Sequence, residues 1–167
     1  MTPCVTKRRQ PRFLVYLLVF LAVLVVDQAT KAVVRVLAVG ESIQVVPGVL
    51  WLTHAQNTGA SFSMLTGSNI LLLWFSLFVL GLLLYWHDQF TTVVEKTCYT
   101  LIFAGLVGNL TDRVLFGAVT DFFDLGWWPV FNIADSALVA GVLGLVAYEL
   151  FRKKRAQQRL KTIGAKR

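Results

Sequence analysis

Between Gly108 and Ala137 the chain places four carboxylates (Asp112, Asp121, Asp124, Asp135), two amides (Asn109, Asn132) and one guanidinium (Arg113) in otherwise lipid-like sequence. Ionisable side chains at membrane depth are costly and mark functional sites by default. Ion pairs that stitch helices together are the competing use, but the stretch's one arginine cannot neutralise four acids. Most of these carboxylates must therefore face water, a ligand or one another. Two carboxylates at one depth in a low-dielectric site cannot both ionise cheaply, so one tends to hold a proton while the other remains a base. Such a pair titrates as a unit, and it can activate a water while polarising a carbonyl, which is aspartic peptide hydrolysis. Residue type alone leaves Asp112, Asp121, Asp124 and Asp135 all open as members. No His, Cys or Glu cluster with metal-ligand spacing, nucleophile elbow or phosphate-binding loop competes, so neither a metal nor another cofactor is expected.

The elements that must position these groups follow from composition. At 167 residues, 56% hydrophobic and 15% charged, the chain is too apolar for a soluble domain and long enough for several membrane spans. An all-α membrane protein with four transmembrane helices is expected, in one domain over residues 1–167. The spans fall at about 13–37, 69–86, 97–116 and 131–151, with basic tails at 1–12 and 152–167. Residues 1–12 followed by Phe13–Val26 resemble a secretory signal, but Asp27-Gln28-Ala29-Thr30-Lys31 is a poor cleavage site and hydrophobic character resumes at Ala32. One retained helix is the reading adopted. Asp27 and Lys31 share a face at i,i+4; Asn109, Asp112 and Arg113 share another at i, i+3 and i+4.

Glu41–Thr66 has no basic residue and alternates β-branched and aromatic residues around Pro47-Gly48, which predicts a small extracytoplasmic β-hairpin or sheet between the first two helices. The polar, small-residue run His54–Phe62 follows it. His54 is assigned no role, and the segment as a whole is expected to act as a movable cover over the carboxylates. Cys4 and Cys98 show neither paired spacing nor partner ligands.

The net charge of +7 would suggest nucleic acid in a soluble protein, but four Lys and Arg precede the first span and eight follow the fourth, while 38–68 and 114–130 have none. That is topology rather than nucleic-acid binding, and it places both termini in the cytoplasm. Asp27, Asn109–Arg113, Asp121, Asn132 and Asp135 then fall at about one depth, near the outer face. Trp127 and Trp128 sit where interfacial tryptophans anchor.

Five blocks carry a resemblance over nearly the whole chain: Asp27-Gln-Ala-Thr-Lys31, Asn57-Thr-Gly-Ala-Ser-Phe62, Gly108-Asn-Leu-Thr-Asp-Arg113, Val119-Thr-Asp121-Phe122 and Phe131-Asn-Ile-Ala-Asp-Ser-Ala137. In this order, on four spans, they resemble the bacterial lipoprotein signal peptidases (type II signal peptidases). The resemblance implies Asp121 and Asp135 as the catalytic pair. It implies substrate binding by Asn57, Asn109, Arg113 and Asn132, and structural support from Asp27, Lys31, Gly108 and Asp112. It implies as substrate a prolipoprotein whose cysteine bears a diacylglyceryl group, cut immediately before that cysteine, in the bacterial inner membrane among lipid. A monomer is expected. The chain departs from the family pattern at Phe103-Ala-Gly-Leu-Val, which lacks adjacent glycines before Gly108, at Thr120 before Asp121, and at Trp127-Trp128. A proton-coupled transporter or a purely structural subunit would also bury acids. Four spans without an inverted repeat, and acids confined to the outer third, argue against a through-path.

Overall fold

The computed structural model describes residues 13–59 and 69–164. Four helices dominate it: α1 (Phe13–Val34), α2 (Asn69–Tyr85), α3 (Val93–Phe116) and α4 (Ile133–Gly164). Three strands, β1 (Ser42–Val46), β2 (Leu50–Asn57) and β3 (Val119–Asp124), form one antiparallel sheet in the order β1-β2-β3. α1 and Ile133–Gln158 of α4 are each long and apolar enough to cross a membrane; α2 is apolar but only 17 residues long.

The helix ends differ from the expected spans for identifiable reasons. α1 stops at Val34 and tightens into i→i−3 turns through Leu37. α3 starts at Val93 rather than about Thr97, because Thr92 and Glu95 form a reciprocal capping box. It ends at Gly117, whose φ of 73° is the left-handed conformation that glycine adopts freely. α4 starts at Ile133 and runs to Gly164, well past Phe151, since the Lys, Arg, Gln, Ala and Leu residues beyond that point are strong helix formers. The expected basic tail is therefore helical through most of its length.

The hairpin is present, with a turn at Pro47-Gly48 where Gly48 has φ 71°. The third strand was not expected. Residues 119–124 read as part of a connection between helices, yet β3 pairs with β2 in the register Ala55↔Asp121 and Asn57↔Val119. Beside Ala55, His54 ties β2 to the segment that follows α1, with Gly40 N–H donating to the His54 carbonyl, His54 N–H to the Glu41 carbonyl, and the His54 ring Nδ1 2.8 Å from the Leu37 carbonyl. β2 is thus hydrogen-bonded to the strand that carries Asp121. The rest of the expected cover, 60–66, lies outside the described residues.

The molecule is apolar outside and polar at its centre. Phe13, Leu18, Ile70, Phe78 and Leu143 are exposed, whereas Asp27, Lys31, Asp112 and Asn132 are wholly buried. α3 and α4 approach closely through small residues. A side chain at Gly105 would collide with the Ala134 carbonyl oxygen, and a Cβ at Gly108 would lie 2.8 Å from Asp27 Oδ2 and 3.1 Å from Ala134 Cβ. A Cβ at Gly141 would lie 2.7 Å from the Cys98 carbonyl oxygen and 2.7 Å from Ile102 Cγ1. Close backbone approach of this kind is how helices associate where no hydrophobic drive separates them from lipid. Gly141→Val forces backbone apart at that crossing. We expect it to lower the thermal midpoint of the purified protein in detergent by an amount corresponding to about 1–3 kcal/mol. An unchanged midpoint would show that the two helices do not meet there.

Candidate active site

The site is built in two layers, of which the deeper is a closed cluster of charges. Lys31, fully buried on α1, has three ammonium donors and three acceptors: Asp27 Oδ2 at 2.9 Å, Asp112 Oδ2 at 3.3 Å and Asn109 Oδ1 at 3.0 Å. Arg35, one turn further on and just past the end of α1, places Nη2 2.8 Å from Asp112 Oδ1. Gln28 Nε2 lies within 3.2 Å of Asp27 Oδ2, Asp112 Oδ1 and the Gly108 carbonyl. Asp27 Oδ1 accepts from Ala134 N–H at 2.8 Å, in the first turn of α4, where backbone donors lack helical partners. Two acids and two bases cancel, and the carboxylates of Asp27 and Asp112 are saturated with donors. The cations for Asp112 thus come from outside residues 108–137, from Lys31 on α1 and from Arg35 just past it.

Asp121 and Asp135 stand outside this cluster, and among the described residues neither joins an ion pair. Both line one cavity of about 300 Å³ together with Asn57, Asn109, Arg113, Pro129, Val130 and Phe131. Amides aim the two carboxylates. Asn57 Nδ2 donates to Asp121 Oδ2 at 3.0 Å, and Asn132 Nδ2 to Asp121 Oδ1 at 2.6 Å. Asn109 Nδ2 donates to Asp135 Oδ1 at 2.7 Å. The Asn109 orientation is dictated from below: its Oδ1 accepts from Lys31 and from Asn132 Nδ2 at 3.1 Å, which leaves its NH₂ facing Asp135. Asn132 and Asp135 also cap α4 reciprocally, with Asp135 N–H on Asn132 Oδ1 at 2.8 Å and Asn132 N–H on Asp135 Oδ2 at 3.2 Å.

Burial, and then the neighbouring Asp135 carboxylate, push the pKa of Asp121 up from its ordinary 3.8 to about 7; the hydrogen bonds from Asn57 and Asn132 and the charge of Lys31 pull the other way. A carboxyl held near neutrality can exchange a proton at physiological pH, which is what an acid–base pair acting on a water needs.

Of the four carboxylates left open by residue type, two are now accounted for elsewhere. Asp112 sits on the face of α3 turned to α1, while Asn109 and Arg113, on the same helix, reach the cavity. The expected common face is thus divided between two neighbours. Asp124 accepts from Thr53 Oγ1 at 3.0 Å and from Gly126 N–H at 2.8 Å, so it closes a turn at the far end of β3. Gly108 is where α3 must be bare to admit Asp27. Arg35, Gln28 and Thr120 were not singled out as site residues. Arg35 carried a signal that could have found it, since it continues the Asp27, Lys31 face at a further i+4.

Comparison with known proteins bears on the whole chain. Residues 19–151 match the family model described as Signal peptidase (SPase) II. The lipoprotein signal peptidase of Syntrophomonas wolfei is 40% identical over 83% of this chain and 95% of its own length. That of Geobacter metallireducens is 37% identical over 90% of this chain and 98% of its own length. A solved structure of a bacterial membrane enzyme superposes with a TM-score of 0.80 at 31% identity, covering 84% of this chain and 90% of that one.

The raised pKa of Asp121 has a consequence for stability with a definite sign. Because the folded value exceeds the unfolded one, the folded protein holds the Asp121 proton more tightly, and the resulting stabilisation is complete below about pH 4 and lost as pH rises through about 7. An amide at this position never ionises. The midpoint of Asp121→Asn relative to wild type should therefore rise between pH 5 and pH 8 in paired thermal melts; a difference that stays flat or falls would mean that Asp121 is not held protonated.

Proposed function

The chain belongs to the signal peptidase II family, and on that premise we propose that it hydrolyses the signal peptide from lipoprotein precursors with Asp121 and Asp135 as its catalytic pair. The chain is an integral membrane protein and a protease. The observation that carries the assignment of the pair is electrostatic. Among the described residues, these are the two carboxylates of the polar centre that join no ion pair and that share a cavity. One carboxyl holds a proton and the other takes one from a water lodged between them. The hydroxyl oxygen bonds to the scissile carbonyl carbon, whose oxygen accepts a hydrogen bond from the protonated partner. Collapse of the tetrahedral intermediate breaks the C–N bond, the amine leaves with a proton returned by the pair, and both carboxyls regain their starting states.

Asn57, Asn109 and Asn132 hold the carboxylate rotamers, and Asn57 and Asn109, which also line the cavity, present amide groups to an extended substrate backbone. Arg113 at the rim grips a carbonyl or lipid oxygen. Asp27, Lys31, Gly108 and Asp112 keep α1, α3 and α4 in register below. The substrate is a precursor whose cysteine carries a diacylglyceryl group, cut immediately before that cysteine. Supporting this, the cavity continues along α4 into a groove formed mostly by apolar side chains, including Val139, Ala140 and Leu143, whose outer faces are those a bilayer would cover. In this reading the chain is a monomer of the bacterial cytoplasmic membrane that crosses it four times, with both basic termini in the cytoplasm and the cavity near the outer face; the Lys and Arg excess at the two ends of the chain supports it.

The test is cleavage of a lipidated precursor by purified protein, read as a mass shift. Asp121→Asn and Asp135→Asn should each abolish turnover in folded protein, since acid–base catalysis contributes about 10²–10⁴-fold. Retention of more than about a tenth of the wild-type rate by either variant would remove that residue from the pair.

Water activation is here assigned to carboxylates, and among the described residues no group of three or more His, Cys, Asp and Glu could hold a metal ion. Turnover is therefore expected to be indifferent to EDTA; loss in chelator with recovery on adding zinc would replace the mechanism.

A further inference from the structure

Arg35 reaches the back of β3 from the end of α1, beside Asp112. Its Nε donates to Thr120 Oγ1 at 2.9 Å, its Nη2 lies 2.8 Å from Asp112 Oδ1, and its Cζ sits 3.8 Å over the Phe116 ring. Thr120 immediately precedes Asp121, and successive side chains on a strand point to opposite faces. Thr120 is accordingly buried towards α1 while Asp121 faces the cavity.

The other polar groups of Thr120 are also held. Its N–H donates to Asp112 Oδ2 at 3.0 Å, and its carbonyl lies 3.4 Å from Asn132 Nδ2. Asp112 is the common element, since one oxygen binds the Thr120 backbone and the other binds Arg35. The guanidinium hydrogen-bonds the Thr120 hydroxyl through Nε and pairs with the Asp112 carboxylate by charge, Nη2 lying close to Oδ1 without hydrogen-bond geometry. Stacking on Phe116 fixes the plane of the guanidinium.

We propose that Arg35 is a positioning residue that acts through the Thr120 hydroxyl, anchoring β3 from behind so that Asp121 stands at its working depth opposite Asp135. This rests on the reading of Asp121 and Asp135 as the catalytic pair. Arg35 touches neither reacting atom nor cavity. Its removal would let the β3 backbone relax, and small displacements of a catalytic group lower the rate of the chemical step more than they weaken binding.

The experiment measures kcat and KM on a lipidated precursor for Arg35→Leu, Thr120→Val, Thr120→Ser and the double variant Arg35→Leu/Thr120→Val, well below each thermal midpoint. Arg35→Leu and Thr120→Val should each lower kcat by about ten- to a hundred-fold with KM within about twofold. Thr120→Ser, which keeps the hydroxyl, should remain near wild type, and the double variant should be little slower than either single one. Four results would overturn the proposal: an unchanged kcat in Arg35→Leu, equal rates for Thr120→Val and Thr120→Ser, losses that multiply in the double variant, or an effect confined to KM. Should Arg35→Leu fail to fold, the comparison of Thr120→Val with Thr120→Ser still decides it. Asp121→Asn is run alongside. If it is inactive while the Arg35 and Thr120 variants are normal, only the positioning role falls; if it is active, the catalytic pair itself is wrong.

Discussion

A fully buried lysine constrains everything else in this structure. Lys31 has no access to water, so each of its three protons must find an acceptor inside the protein or the ammonium could not remain charged. Those acceptors come from α1 itself (Asp27) and from α3 (Asn109 and Asp112), and Asp27 in turn takes a backbone N–H from α4. One cation thereby fixes the relative position of three helices. Removing any partner would leave a charge unpaired in a low dielectric, and such losses cost roughly 3–5 kcal/mol. The apolar exterior offers no comparable specificity, because lipid-facing side chains can slide past one another with little change in free energy.

The same cluster explains why the two cavity carboxylates behave differently from their neighbours. Asp27 and Asp112 are deeper but are matched by Lys31 and Arg35, whereas Asp121 is nearly as buried and receives amide donors without a paired cation. Amides orient a carboxylate and stabilise its charge only in part, so desolvation prevails at Asp121 and its proton is retained towards neutrality. The ion-paired cluster thus ends below the cavity, where Asp121 and Asp135 are held by amides.

Much of this was legible in the sequence because membrane burial makes polar residues conspicuous. Asp27, Lys31, Asn109, Asp112, Asp121, Asn132 and Asp135 stand out from an apolar background, and the structure brings all of them into one hydrogen-bonded centre. What the sequence concealed were pairings between distant segments. β3 reads as a connection because six residues of Val, Thr, Asp and Phe become a strand only when β2 offers its edge. Arg35 is easily taken for a flanking charge until Thr120 and Asp112 are seen beside it. Thr92 and Glu95 carry the spacing of a capping box, which starts α3 a turn before the expected span. Charge balance, finally, is a property of the assembled core, so counting it over one stretch assigned too many carboxylates to the cavity.

The two cavity carboxylates are held by different kinds of backbone. Asp135 occupies the third position of α4, where its Oδ2 is engaged by the Asn132 N–H; its direction follows from how the helix begins. Asp121 takes its direction from strand register against Ala55. Phe131 links the two elements, its carbonyl accepting from Phe122 and Phe123 N–H and its own N–H donating to Phe123. The geometry of the pair is therefore closed by the Phe123–Phe131 bridge, and the intervening loop, with Trp127 and Trp128 exposed at its tip, lies outside that closure. Trp127 and Trp128 can therefore be replaced without moving either carboxylate, whereas Pro129 and Val130 of the same loop line the cavity and are constrained by it.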